Sequence, residues 1–384
     1  MLNMDKEMTA LGMCNDRFWE ALPRPIVGLA PMDGVTDHPS RHIQKKYGNP
    51  DVVYTEFTSV EALCHGDWQS WRNFLYDETQ RPIVAQIYGR TPEYFRQVAI
   101  MLCELGFDGI DVNMGCPAKT VANGGCGAGL IRTPDCAQSI IQAVKDGVQD
   151  WRNGATTAQC TRLLARFSKR VAAIHEQLPP AYRQRRSMPV SVKTRIGYDA
   201  PAVNDWVPRL LEAEPAAICL HGRTLRQGYS GLANWEAIAQ AAELAGGAQT
   251  LILGNGDAAT RGDAERRAAT YGLAGVLIGR ASFGNPFVFH KEQLADDDED
   301  RQARLARRLR LIAIALEHVR LYEETFRPYE RYRFYAMRKH LGWYIKDVAS
   351  ASHIRASLMQ VNDAREVELL LAQQGYAVHD RGDV

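Results

Sequence analysis

The stretch GIDVNMGCPAK, residues Gly109–Lys119, passes within a few positions from a short apolar run into a polar loop carrying Gly and Pro. Gly109–Asn113 reads as a strand, and Cys116 follows three residues after its end. Seven other runs have the same form: Ile26–Ala30, Val52–Phe57, Ile83–Tyr88, Val190–Thr194, Ala217–His221, Thr250–Gly254 and Gly275–Gly279. Helical stretches lie between them, among them Pro92–Leu105, Pro134–Gly147, Asn234–Leu244 and Ala259–Tyr271. Strands alternating with helices imply a parallel sheet, and eight such units imply an α/β fold of the (β/α)8 TIM-barrel type. Polar residues close nearly every run, on the face where barrel enzymes do their chemistry. An open doubly wound sheet would carry G-x-G-x-x-G after an early strand, whereas the first run here ends in APMDG.

Two features interrupt the alternation. Residues 148–187 form an insertion in which Leu163, Phe167, Val171, Ile174 and Leu178 recur at helical spacing. Arg162, Arg166, Lys169 and Arg170 take its other face, so an amphipathic basic helix is expected, closed by Pro179–Pro180. The acidic run Asp296–Asp300 reads as a linker, and a helical C-terminal domain is expected over 300–384. The catalytic barrel then spans 22–295, preceded by a leader over 1–21. That leader carries acids and lacks the apolar core of a signal peptide, which points to a cytosolic protein. No run approaches the roughly 18 apolar residues needed to cross a membrane.

Net charge over the 384 residues is only +1, but it is segregated. Residues 301–355 hold thirteen Lys/Arg against five acids, and residues 151–187 hold eight against one. Clustered bases on an acidic body suit a polyanionic partner better than overall charge suggests. The alternative is two solvated helical faces. None of the eight cysteines forms a C-x-x-C, and no Cys/His spacing fits a zinc site, so no metal is expected.

A cysteine between Gly and Pro at a strand exit is poorly placed for packing, so Cys116 is the candidate nucleophile or proton donor. An ordinary thiol, with pKa about 8.5, is mostly protonated at neutral pH, which suits an acid. Cys126, in the same Gly-rich loop, reads as structural. Lys193 and His221 close the fifth and sixth runs, with Arg195, Arg223 and Arg226 just beyond them. Lys193 suits either a Schiff base or contact with an anionic cofactor ring. Gly254-Asn255-Gly256-Asp257 and Gly279-Arg280 follow the seventh and eighth runs, the usual phosphate position of this barrel. Together with Gln86, these residues point to a flavin mononucleotide enzyme that reduces a polarised double bond.

In these motifs the chain resembles the bacterial tRNA-dihydrouridine synthases, nearest to their B-type. The resemblance runs over about residues 25–375 through APMDGVTD (Ala30–Asp37), QIYG (Gln86–Gly89), DVNMGCPAK (Asp111–Lys119), VKTRIG (Val192–Gly197), HGRTLRQGYSG (His221–Gly231), GNGD (Gly254–Asp257) and IGRA (Ile278–Ala281). RKHLGWYIK (Arg338–Lys346) is similar to the family's tRNA-recruiting helical domain. It implies that Pro31, Met32 and Asp33 line the FMN ring, that Gln86 bonds its polar edge, and that Lys193 and His221 contact it. Asn255, Gly256, Asp257, Gly279 and Arg280 would hold its phosphate. Cys116 would be the catalytic acid, Asn113 would hold the target uracil, and Arg195, Arg223 and Arg338 would bind the substrate. NADPH or NADH would reduce the FMN; hydride would then go to C6 of uracil and the Cys116 proton to C5. A target base must leave its stack to react, and folded tRNA is recognised largely by shape and phosphate contacts.

Two departures stand out: GVLIGRAS (Gly275–Ser282) where the family reads GVMIGRGA, and the insertion, which is not a usual family feature. The competing readings are an FMN barrel acting on a free pyrimidine or enone, a Lys193 aldolase, and a non-catalytic tRNA-binding factor. A monomer is expected, since tRNA supplies the second large surface.

Overall fold

Among the residues described by the computed structural model, 18–290, 301–346 and 350–376, nine strands form one all-parallel sheet. They are β1 (Ile26–Leu29), β2 (Val53–Tyr54), β3 (Thr58–Ser59), β4 (Ile83–Tyr88), β5 (Gly109–Met114), β6 (Val190–Arg195), β7 (Ala217–His221), β8 (Leu251–Asn255) and β9 (Gly275–Ile278). The order is β1-β9-β8-β7-β6-β5-β4-β2, with β3 also on β4. The Leu29 N–H donates to Val52 O and the Asp51 N–H to Val27 O, both at 2.9 Å, and these bonds join the two ends into a barrel.

The second run differs from its single expected strand. The Thr55 N–H still donates to Val84 O at 3.0 Å, but Thr55 Oγ1, in place of its carbonyl, accepts the Gln86 N–H at 2.9 Å, and there the chain leaves the ladder. The chain rejoins β4 only at Thr58, so β2 and β3 together fill one of the barrel's eight positions.

The floor of the barrel is sealed by Phe18, Trp19 and Leu22, packed on Ile26, Tyr54, Val84 and Leu277. A Cβ on Gly109 would sit 3.0 Å from the Phe18 ring, which accounts for glycine at the start of β5. The chain is therefore part of the barrel from Phe18, a few residues earlier than the expected leader boundary at 21. Residues 1–17 lie outside the described residues.

The helix expected to end at Gly147 runs over Pro134–Arg152, and the insertion follows as a 3-10 turn at Thr157–Gln159 and a helix at Ala165–His175. Its stripe of Leu163, Phe167, Val171 and Leu178 is buried against the barrel core. The acidic run Asp296–Asp300 lies outside the described residues. Beyond it come helices Arg301–Phe326, Tyr335–Tyr344, Ala351–Leu358 and Ala364–Gln373. Their core includes Phe334, Met337, Leu341 and Ile345, and it extends into the barrel through Ile43 and Phe287. Phe283 stacks on Trp343 with ring centroids 4.0 Å apart across the same joint. Among the described residues no helix is long and apolar enough to cross a membrane.

Candidate active site

Strand register assembles the site. Gln86 on β4 pairs with Asp111 on β5, and Asn113 pairs with Lys193 on β6. Arg195 pairs with His221 on β7, which pairs with Asn255 on β8. Residues distant in sequence thus become lateral neighbours at the C-terminal rim, where a parallel barrel presents its loops.

On the β5 side, Asn113 Oδ1 accepts the N–H groups of Gly115 at 3.1 Å and Cys116 at 2.9 Å. The exit of the strand is therefore folded back on its own side chain, with Cys116 only 8% exposed. Burial pushes the Cys116 thiol above its ordinary pKa, so it carries its proton at neutral pH. The Asn113 amide in turn donates to Gln86 Oε1 at 2.9 Å.

From β6 round to the exit of β9 the rim is cationic. Lys193 Nζ donates to Asn255 Oδ1 at 3.1 Å, and Asn255 Nδ2 donates to Leu277 O at 2.8 Å. Arg223 and Arg280 converge on the Asp257 carboxylate, at 2.7 Å and 3.0 Å. His221 is buried and faces Lys193, Arg195, Arg223 and Arg280; burial first, then these charges, lower its pKa to about 2. His221 is therefore neutral. Burial also lowers the pKa of Lys193, against the pull of Cys219.

The expected substrate arginines are occupied within the chain. Arg195 is 3% exposed and donates to Gly115 O at 2.7 Å and to Thr224 O and Gly228 O at 3.1 Å. It ties the Cys116 loop to the loop after β7. Arg223, 2% exposed, bonds Gly231 O as well as Asp257. Arg338 lies in the helical region, where it donates to Val361 O and Asn362 Oδ1, both at 2.9 Å.

The turn after β1 carries Pro31 and Met32, both half-buried, and the exposed Asp33. Gly34 there has φ +68, and a Cβ on it would lie 2.9 Å from Lys339 Nζ, so the helical region reaches this turn. Lys339, the buried Glu56 and the buried Asp111 were not singled out from sequence. Burial and the nearby Asp37 and Asp33 carboxylates hold Glu56 well above the usual carboxyl range. Asp111 did have a legible signal, a carboxylate inside an apolar run.

The family model described as Dihydrouridine synthase (Dus) matches residues 28–156 and 163–378. The chain belongs to the dihydrouridine synthase family. The match leaves out only residues 157–162 of the insertion and covers the rest of it. A "Probable tRNA-dihydrouridine synthase" of Staphylococcus aureus (strain COL) is 34% identical over 364 residues, 93% of this chain and 95% of the relative. A "Probable tRNA-dihydrouridine synthase 2" of Bacillus subtilis (strain 168) is 35% identical over 363 residues, 93% of this chain and 96% of its own. Among solved structures, morphinone reductase in complex with tetrahydroNAD is similar over 70% of this chain and 85% of its own, at 13% identity and a TM-score of 0.36.

Proposed function

We propose that this protein reduces the 5,6 double bond of a uridine in tRNA, using FMN and a nicotinamide reductant, with Cys116 as the acid. The observation that carries the reading is a buried thiol, held at the β5 exit by the bond from its N–H to Asn113, beside the cationic rim that begins on the next strand with Lys193 and Arg195.

The rim suits FMN. Gly256 has φ +127 and a Cβ there would strike Ala233 at 2.7 Å, so only glycine fits this turn at the exit of β8. Above Gly279 a Cβ would meet nothing nearer than Met32 Sδ at 3.6 Å, which leaves room over the exit of β9. Arg280, 52% exposed and steadied by Asp257, supplies a partner for the phosphate. Lys193 places positive charge where a reduced ring system develops negative charge. FMN bound here supplies the hydride that the protein's own side chains cannot.

The chain's residues do the rest. Asn113 keeps the Cys116 loop in place and offers its amide to a uracil carbonyl, and Cys116 delivers its proton to C5. Neutral His221 donates or accepts a hydrogen bond at the ring edge without adding charge. The Pro31–Asp33 turn forms one wall.

The proposal also assigns the barrel, from Phe18 onward, to catalysis and the helical region, from Arg301 onward, to recruiting tRNA. Arg162 and Lys169 on the insertion would extend the RNA surface. It takes the protein as a cytosolic monomer with NADPH as the first reductant to test and NADH as the second.

The test is an anaerobic turnover. Visible flavin bands should bleach on adding NADPH, return on adding unmodified tRNA, and leave dihydrouridine in the product. A colourless protein that also fails to bind added FMN would sink the reading.

A further inference from the structure

Asp111 sits in the middle of β5, 1% exposed, directly beneath the residues assigned above to the reaction. Both of its oxygens are engaged: Oδ1 accepts from Ser191 Oγ at 2.6 Å and Oδ2 from Gln86 Nε2 at 2.7 Å. A carboxylate can only accept, so the Gln86 amide must turn its NH2 toward Asp111 and its carbonyl toward Asn113. That carbonyl accepts from Asn113 Nδ2 at 2.9 Å. Asn113 is thereby left with its own carbonyl facing the Gly115 and Cys116 N–H groups.

The sense of the whole chain of bonds follows from its buried end. With Gln86 reversed, its NH2 would face the NH2 of Asn113. Reversing Asn113 as well would aim its NH2 at two backbone N–H donors. Neither arrangement satisfies the buried groups, and an unsatisfied buried donor costs about 1–3 kcal/mol. Each amide also has a second N–H beyond this chain of bonds, a donor whose direction is fixed in the same way and suits a carbonyl oxygen of flavin or uracil.

We propose that Asp111 is the positioning residue of this site: it sets the polarity of the Gln86–Asn113 pair and, through it, holds Cys116 in its proton-donating position. The inference rests on the reading of Cys116 as the acid, but its test needs neither flavin nor RNA. Nearby groups agree with it. Burial raises the Asp111 pKa to about 6, with Ser191, Gln86 and Lys193 opposing the rise, so the carboxyl is mostly ionised at neutral pH, the form that can only accept. Evenly spaced register partners, Gln86↔Asp111 and Asn113↔Lys193, keep the relay within two adjacent strand pairs rather than on mobile loops.

The experiment is alkylation of the apoprotein by iodoacetamide at fixed pH, with the Cys116 peptide followed by mass spectrometry. Asp111→Ala should speed modification of Cys116 about fivefold, what loosening one ordinary hydrogen bond gives, and Asn113→Ala should do the same. Asp111→Asn should return the rate to that of the unaltered protein, because its side-chain oxygen still accepts from Gln86 while its NH2 donates to the Ser191 hydroxyl. Ser191→Ala, which touches Asp111 but not the amides, should leave the rate unchanged. If circular dichroism shows Asp111→Ala unfolded, Gln86→Met cuts the relay in its middle and should give the same acceleration. An unaltered rate in Asp111→Ala or Gln86→Met, beside a fast Asn113→Ala, would overturn the proposal, as would an Asp111→Asn variant no slower than Asp111→Ala. A protein that shows the expected alkylation pattern yet makes no dihydrouridine would sink the proposed activity and leave the relay standing.

Discussion

Burial removes the water that would solvate a thiolate, and this is the largest influence on Cys116; the Ala118 N–H opposes the rise, Asp33 adds to it and Arg195 opposes it. A group whose working form is the protonated one, and whose pKa is raised, stays competent below its ordinary value and fails only above it. Product formation at saturating tRNA should therefore stay level up to about pH 8.5, the ordinary thiol value, and fall only beyond it. A decline that begins near neutrality would mark a thiolate mechanism instead. Cys116→Ala should lower turnover by about 10²–10⁴, the usual weight of a positioned general acid. Bleaching of the flavin by NADPH should be untouched, because that half of the cycle needs no proton from Cys116. Stopped-flow absorbance separates the two halves.

At the level of elements, the insertion divides its basic residues between two tasks. Arg166 donates to Gly66 O, and Arg170 donates to Tyr329 OH at 3.0 Å while lying 5.5 Å from the Trp71 ring. Phe167 packs on the same Trp71, so the Ala165–His175 helix braces the turn after the Arg301–Phe326 helix against the barrel. Arg162 and Lys169 remain exposed. Replacing those two by Gln should weaken tRNA binding and flatten the log–log salt dependence by about 0.7–0.9 per lost phosphate contact. Arg170→Met should leave that slope alone and instead couple to Tyr329→Phe in a stability cycle, by about 1 kcal/mol. Equal slopes in all these proteins would remove the insertion from the RNA surface. The amphipathic stripe announced this helix in the sequence, as the β-branched runs announced the strands, because burial of one face is written in local spacing. The partners of its arginines were not legible: Tyr329 and Gly66 lie far along the chain and meet it only after folding. The same limit hid the Asp257 carboxylate between Arg223 and Arg280. It also hid the break in the ladder at Thr55, where a hydroxyl replaces a carbonyl as acceptor.

For the molecule as a whole, the joint between barrel and helical region is where pH should act on stability. It is lined by Met32, Thr36 and Gln44 from the barrel and by His318, His340 and Trp343 from the helices. His318 and His340 are buried with ring centroids 4.9 Å apart, and His318 Nδ1 lies 3.3 Å from Tyr344 OH. Burial lowers His318 to about 3, and burial with the neighbouring His318 lowers His340 well below its ordinary value. In the unfolded chain each returns to 6.5. Between these values the unfolded chain binds protons that the folded one does not, so stability is full above pH 6.5 and is lost as pH falls below it. From pH 7.5 to 5.5 each such histidine should cost about 1.4 kcal/mol. Buried carboxyls with raised pKa, Glu56 and Asp111 among them, titrate with the opposite sign, so the total drop in the unaltered protein is not diagnostic by itself. The difference between two proteins is. His318→Phe keeps a ring of similar size and removes one proton site, so urea denaturation at the two pH values should show a drop smaller by about 1.4 kcal/mol. Hydrogen exchange should locate the acid-sensitive opening in the Arg301–Phe326 and Tyr335–Tyr344 helices, while the strands stay protected. A variant whose drop equals that of the unaltered protein would mean that His318 is already solvated in the folded state, and that the joint between the two parts is open rather than packed.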